Sequence, residues 1–328
     1  MVSGFVAAMF GDVSSTASLS PEYRAVTAAC GLLDRSERGK LALTGDDAKS
    51  FLQGQVTNDV ESVSPGAGCY AAFLTQKGKM LGDLRILDTG DELLLDTERV
   101  ALQPLFNLIR RSSIGYDVQL HKRTLERGLV SLIGPAAAEV AGAPDLSEAP
   151  EHSHLEIEVG GRAARAIRTD VGVDLLCDGA ELDAVRSALE ASGATPVDES
   201  VVECLRIERG CPRYGMELDD TVIPQEAGLN DRAVSFSKGC YVGQETVARL
   251  HYRGKPNRHL RGLRLSGPGR TGDPVRSGER GVGQLGSVGE SPRFGWIALA
   301  LLRREAAVGS SVTVGDGAAA EVVEVPFS

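Results

Sequence analysis

Residues 69–87 read Cys69-Tyr70-Ala71-Ala72-Phe73-Leu74-Thr75-Gln76-Lys77-Gly78-Lys79-Met80-Leu81-Gly82-Asp83-Leu84-Arg85-Ile86-Leu87, and this stretch decides the fold class. Two strand-like runs, 69–75 and 80–87, flank a short glycine turn, Gln76-Lys77-Gly78-Lys79. Asp88-Thr89-Gly90-Asp91 then turns the chain into a third strand over 92–96. A helix follows over 99–111, with Leu105, Phe106 and Ile109 on one face. Upstream, Lys40–Leu43 alternates like a strand, and Asp46 is placed to cap a helix carrying Ala48, Phe51 and Leu52 inward. The β-β-β-α order predicts an antiparallel sheet with helices on one side, an α+β unit.

A similar order recurs. Strands are expected over 154–159, 162–168 and 171–177, around Gly160-Gly161. Leu182, Val185 and Leu189 then face one side of a helix that ends at Gly193. A second helix from about Asp198 carries Val201, Val202 and Leu205 and stops at Gly210. The two units show no repeat in the letters. Beyond Gly254 the chain is rich in glycine and short β-like pieces, and the longest helical spacing is 296–303. This predicts a small all-β terminal domain.

At 328 residues the chain is long for one core, and two or three domains are expected. No apolar run reaches the length of a membrane-spanning helix. The first twenty residues hold no Lys or Arg, so they lack the basic region of a secretory signal. Residues 1–19 read as a disordered lead-in, Met9 as a possible alternative start, and the protein as cytoplasmic. Cysteines 30, 69, 177, 204, 211 and 240 include no Cys-x-x-Cys pair and no His at zinc spacing, so free thiols and no metal site are expected. Net charge of −10 argues against broad nucleic-acid binding. Yet 246–272 contains no acid and carries Arg249, Arg253, Lys255, Arg258, Arg261, Arg264 and Arg270. Two readings fit: a solvated linker and strand edge, or an anion-binding face beside a groove.

Residues 238–245, Lys238-Gly239-Cys240-Tyr241-Val242-Gly243-Gln244-Glu245, spend their positions on backbone freedom and polar contacts. Val242, Thr246, Val247 and Leu250 then fall at helical spacing, so a helix is expected from near Gly243 with Cys240 just outside it. The helix dipole and Lys238 would favour a thiolate there. A buried structural cysteine in a tight turn fits the same letters.

This octapeptide resembles the signature of the YgfZ-type proteins, a branch of the folate-binding superfamily that includes the aminomethyltransferase (T protein) of the glycine cleavage system. Four further blocks resemble that family in its order: 51–59 (FLQGQVTND), 75–84 (TQKGKMLGDL), 205–215 (LRIERGCPRYG) and 223–226 (IPQE). The resemblance implies two intertwined α+β domains, 20–47 with 126–205 and 48–125 with 206–252, and a C-terminal β-barrel over 253–328. Together these would form a three-domain ring around a central channel.

By the same resemblance, Glu208 would face the pterin of a tetrahydrofolate, where one carboxylate accepts two adjacent N–H groups. Arg206 and Asp174 would lie nearby. Read from its own setting, Glu208 is equally a surface glutamate, and Asp174 a solvent-facing strand residue. Asp83 matches an acid near the folate nitrogen that takes the one-carbon unit, although Gly82 stands where such enzymes often have a second acid. Two functions follow. One is a tetrahydrofolate-binding accessory protein supporting iron–sulfur cluster assembly or repair, and indirectly tRNA modification, through Cys240. The other is a folate-dependent aminomethyl or methyl transferase with Asp83 as its acid/base. A third reading is a module that has lost folate and contacts only protein partners. The basic residues Arg249, Arg253, Lys255 and Arg258 are candidates for the folate's glutamate tail, with RNA as the runner-up ligand there.

Overall fold

The computed structural model describes residues 20–328, so the lead-in expected over 1–19 lies outside the described residues. Helix α1 (Pro21–Ala28) starts at Ser20, whose hydroxyl accepts from the Tyr23 amide at 3.1 Å. There follow β1 (Gly31–Asp34), β2 (Gly39–Thr44), α2 (Ala48–Gln55), β3 (Gly68–Leu74), β4 (Met80–Asp88), β5 (Leu93–Thr97), α3 (Arg99–Ser112) and β6 (Gln119–Lys122). The hairpin closes as predicted: the Thr75 amide donates to Lys79 O at 2.7 Å, and Gly78 sits at φ +74. The order β3-β4-β5-β2-β6 makes an antiparallel sheet. Phe51, Leu52, Leu105 and Ile109 of its helices pack on Leu41, Phe73, Leu84 and Ile86. The helix cap differs from expectation by one residue. Asp47 holds that position, and its carboxylate accepts instead from the Asp117 amide at 2.8 Å.

The second sheet is built from β7 (Arg127–Ile133), a short α4 (Ala137–Val140), β8 (His154–Val159), β9 (Arg162–Arg168), β10 (Gly172–Asp178), α5 (Leu182–Ala191), β11 (Thr195–Pro196) and α6 (Glu199–Glu208). Its order is β11-β1-β7-β10-β9-β8. Thus β1 belongs to this sheet while β2 pairs with β5 and β6. The chain crosses over between Asp34 and Gly39, earlier than the boundary expected at 47/48, and returns between Lys122 and Arg127. The alternation of 40–43 identified a strand but carried no information on its partner.

After α6 come a short α7 (Asn230–Ala233) and α8 (Gln244–Arg253), then β12 (Arg258–Leu265), β13 (Pro274–Ser277), β14 (Arg280–Ser291), β15 (Gly295–Arg303), β16 (Ser311–Val314) and β17 (Ala318–Val323). These strands close into a barrel in the order β12-β15-β14-β13-β16-β17. The run 296–303, read as helically spaced, is strand β15. Its apolar run is unbroken because both faces are buried. Ala298, Ala300 and Leu302 fill the barrel, while Ile297 and Leu299 meet Ile207 of α6. Helix α6 is therefore the seat on which the barrel docks. No helix among the described residues is long and apolar enough to cross a membrane.

Candidate functional site

The period of two along β3 and β4 sorts their side chains. Ala71, Phe73, Leu84 and Ile86 enter the core, so Tyr70, Asp83 and Arg85 face the other way. There they border a cavity of about 210 Å³. Asp96 of β5 lies opposite Arg85 on the same face. Ser131 and Asp174, cross-strand neighbours on β7 and β10, approach from the second sheet. Val202 and Arg206 of α6 also border the cavity.

Ion pairs tie the two sheets across this space. Arg85 reaches Asp96 at 2.6 Å and Asp174 at 2.6 Å. Ser131 Oγ donates to Asp174 at 2.6 Å. Arg38 pairs with Asp96 at 2.8 Å and also with Glu98. Asp96, between two guanidinium groups, is held well below the usual carboxylate range despite its burial. These pairs make the walls rigid and leave Asp83 as the odd group. Asp83 is buried, has no ion-pair partner among the described residues, and accepts a short hydrogen bond from Tyr70 Oη. Burial pushes its pKa up to about 6, against the downward pull of the Tyr70 hydrogen bond. Tyr70 itself is driven well above its ordinary value by burial and by Asp83. A carboxyl group that changes charge near neutral pH, bordering a cavity, can give or take a proton from a bound ligand. A side chain at Gly82 would point to the opposite face, with its Cβ 2.8 Å from Leu105, so a second acid there would not share the cavity.

Asp83, Asp174 and Arg206 come together at this cavity; Glu208 does not border it. Helical geometry explains the separation, since positions two apart on α6 point to nearly opposite sides. The Glu208 carboxylate accepts from Tyr23 Oη at 2.9 and 3.0 Å and from Ser291 Oγ at 2.5 Å, with Cys204 Sγ at 3.6 Å. It joins α1, α6 and the barrel strand β14. Its burial corrects the surface-glutamate reading. Arg206 is held by Glu203 at 2.5 Å and by Ser287 of β14. Both oxygens of Asp174 are used, by Ser131 and by Arg85, so the solvent-facing reading of Asp174 gives way to a buried ion pair.

His152 escaped the sequence reading and also borders the cavity. It is the one non-glycine residue at positive φ (72°) among the described residues, a conformation uncommon outside glycine. Its Nδ1 is buried without a partner among the described residues, and burial, then Arg85 and Arg232, depress its pKa to about 3. No local pattern in the letters flags it.

The octapeptide lies elsewhere. Lys238 is buried, and its Nζ donates to the carbonyls of Gln53 (2.6 Å), Val56 (2.9 Å) and Asn58 (2.7 Å). It fastens the 53–58 segment and is not the counter-charge expected for Cys240. Burial lowers its pKa to about 8. Tyr241 packs into a cluster with Ala72, Leu74 and Val247. Gly243, at φ +85, caps α8; a Cβ there would meet Thr75 O at 2.5 Å. Gln244 opens the helix and Glu245 is exposed, as are Gly239 and Cys240. The exposure of Cys240 removes the buried structural reading. Arg249, Arg253 and Lys255 are exposed, and Arg258 pairs with Glu226 at 2.9 Å. None of these four borders the cavity.

Residues 5–238 match the GCVT N-terminal domain model, and residues 258–328 match that of the glycine cleavage T-protein C-terminal barrel domain. The chain belongs to the glycine cleavage T-protein family. It is 31% identical over 324 residues to the aminomethyltransferase of Rubrobacter xylanophilus, covering 95% of this chain and 86% of that one. It is 29% identical over 309 residues to a putative chloroplastic transferase of Arabidopsis thaliana, covering 90% and 71%. The crystal structure of the aminomethyltransferase T of Bartonella henselae superposes with a TM-score of 0.82 at 22% identity, over 94% of this chain and 88% of the other. That likeness concerns the fold.

Proposed function

We propose that this T-protein family member binds a reduced folate with its ring in the central cavity, and that Asp83 carries the proton exchanged with the ligand there. The observation that carries this reading is the unpaired, buried Asp83 bonded to Tyr70, titrating near neutral pH among fixed ion pairs. A cavity of about 210 Å³ is smaller than the ~300–1,000 Å³ of sites that enclose a drug-sized ligand. It suits a ring system whose tail extends outward. Around that ring, Arg85, Arg206 and Arg213 are each pinned by carboxylates, so they orient the ligand without rearranging on binding. Tyr70 holds the proton-bearing edge of Asp83 in place.

The reaction this supports is folate-dependent aminomethyl or methyl transfer, in keeping with the names of the relatives. Tetrahydrofolate mixed with the protein and an aminomethyl donor tests it, read as methylenetetrahydrofolate formed. Product should form with wild type and fall about 10²–10⁴-fold with Asp83→Asn, the range for losing a general acid/base.

The exposure of Cys240 favours a second reading. In it the protein is a YgfZ-type accessory factor in the cytoplasm. It keeps the folate cavity, and Cys240 serves iron–sulfur client or assembly proteins and thereby tRNA modification. Folate binding without turnover, with client activity lost in Cys240→Ala, would select this reading over transfer.

A further inference from the structure

The buried polar side chains that border the central cavity are Asp83, Asp96, Ser131, Asp174 and His152. All but one are engaged. Asp83 accepts from Tyr70, Asp96 from Arg38 and Arg85, and Asp174 from Ser131 and Arg85. The His152 ring makes no hydrogen bond among the described residues. Its Nδ1 is enclosed without a partner. Its Nε2 lies 3.7 Å from Glu151 Oε1, beyond hydrogen-bond reach. That oxygen is already taken by Arg232 at 2.6 Å.

The imidazole is nonetheless held in a fixed place. The His152 amide donates to Arg168 O at 2.9 Å, and the backbone sits at φ 72°. Gly68 of β3 makes room for it, since a Cβ there would come within 3.1 Å of His152 Cβ. A buried polar ring with no partner in its own chain is unfavourable. Its place on a cavity wall says where a partner would come from. Burial, Arg85 and Arg232 all oppose a second proton on the ring, so it is the neutral imidazole, with one N–H and one bare nitrogen. The Glu151 carboxylate can only accept, and its nearness favours the proton on Nε2. Nδ1 is sealed off, so contact with the cavity falls to Nε2–H.

We infer that His152 is a ligand-binding residue, whose Nε2–H donates a hydrogen bond to an acceptor atom on the ring that enters the central cavity. The inference rests on the folate reading and adds to it a residue that lies outside every block of family resemblance. The guanidinium groups of Arg85 and Arg206 are spent on carboxylates. The His152 N–H is a neutral donor with no such claim on it, so it can bind the ligand without breaking an ion pair.

The test is equilibrium titration of the full chain with tetrahydrofolate, beside two variants. His152→Phe keeps a planar ring and removes both nitrogens. His152→Gln sets an amide N–H near the position of Nε2. His152→Phe should bind about two- to tenfold more weakly than wild type, the range of one neutral hydrogen bond. His152→Gln should recover most of that loss. A His152→Phe variant as tight as wild type would overturn the inference. So would a His152→Gln variant as weak as His152→Phe, because packing would then explain the effect. A measurement on wild type alone covers the case of a variant that does not fold. In nitrogen–proton correlation spectra of histidine-labelled protein, the free His152 ring should be neutral with its proton on Nε2. That nitrogen and its proton should shift when tetrahydrofolate is added. A proton found on Nδ1, or His152 signals unmoved in the saturated complex, would overturn the contact and leave the ring reading standing. No binding of tetrahydrofolate to wild type would sink the folate reading and this inference with it.

Discussion

The Tyr70 hydroxyl donates to Asp83 diagonally across the β3–β4 pair, inside a cavity where the other carboxylates that meet an arginine are already spoken for. Tyr70 lies opposite Arg85, and Asp83 opposite Ala72. The small Ala72 side chain leaves the diagonal open, so the phenol reaches the acid. Asp83 keeps a proton to higher pH than an exposed aspartate because burial outweighs the Tyr70 hydrogen bond and the pull of Arg38.

Asp83 should make the protein's stability fall as pH rises. Its folded pKa of about 6 exceeds the unfolded value of 3.8, so the folded state holds the proton more tightly. That contribution is fully present below the unfolded value and is lost as pH rises through about 6. Asp83→Asn, which cannot ionise, should raise the melting temperature relative to wild type at pH 8 and change it little at pH 4. Thermal melts at the two pH values check this, and an equal effect at both would remove Asp83 as a buried titrating group.

His152 acts on the acid side. Its folded pKa of about 3 lies below the ordinary 6.5, so its contribution is present above 6.5 and fades as pH falls toward 3. His152→Asn tolerates the positive φ and does not titrate. In denaturant titrations between pH 6.5 and 4, the variant should lose less stability than wild type.

Cys240 should be the preferred thiol for alkylation. It is exposed, whereas burial pushes Cys30 and Cys177 up to about 11 and Cys69 and Cys204 up to about 12. Iodoacetamide at pH 7.5 on native protein, followed by peptide mass mapping, should modify Cys240 well ahead of these four. Equal labelling across the cysteines would contradict the structure.

Glu208→Ala should destabilise the protein by about 1–3 kcal/mol, because Tyr23 Oη and Ser291 Oγ lose a buried acceptor. Folate affinity should change less than stability, since Glu208 does not border the cavity. Calorimetric titration run beside melts separates the two. A loss of affinity without loss of stability would instead support the pterin-anchoring role implied by the family resemblance.

Much of this was legible in the letters. The hairpin 69–87 announced its strands and turn because alternation and a glycine turn are local signals. The helices carrying Leu105, Val185 and Val202 showed their apolar spacing for the same reason. Asp83 was found through the family motif, and its face of the sheet follows from the apolar run on the other. What the letters did not hold was partnership. Tyr70, Arg85, Asp96 and Asp174 meet only because two sheets from interleaved segments face one another. Lys238 looked like a neighbour for Cys240 in sequence, yet it turns inward to carbonyls some 180 residues away. Strand β15 carried a misleading helical spacing because burial on both faces erases alternation.

The most direct test of the central claim is a crystal structure with tetrahydrofolate soaked in. The ring should lie between the β3–β4 face and α6, with a ring nitrogen or its attached group within about 2.6–3.2 Å of Asp83 or one water away. A ring bound elsewhere, with Asp83 still bonded to Tyr70 alone, would contradict it.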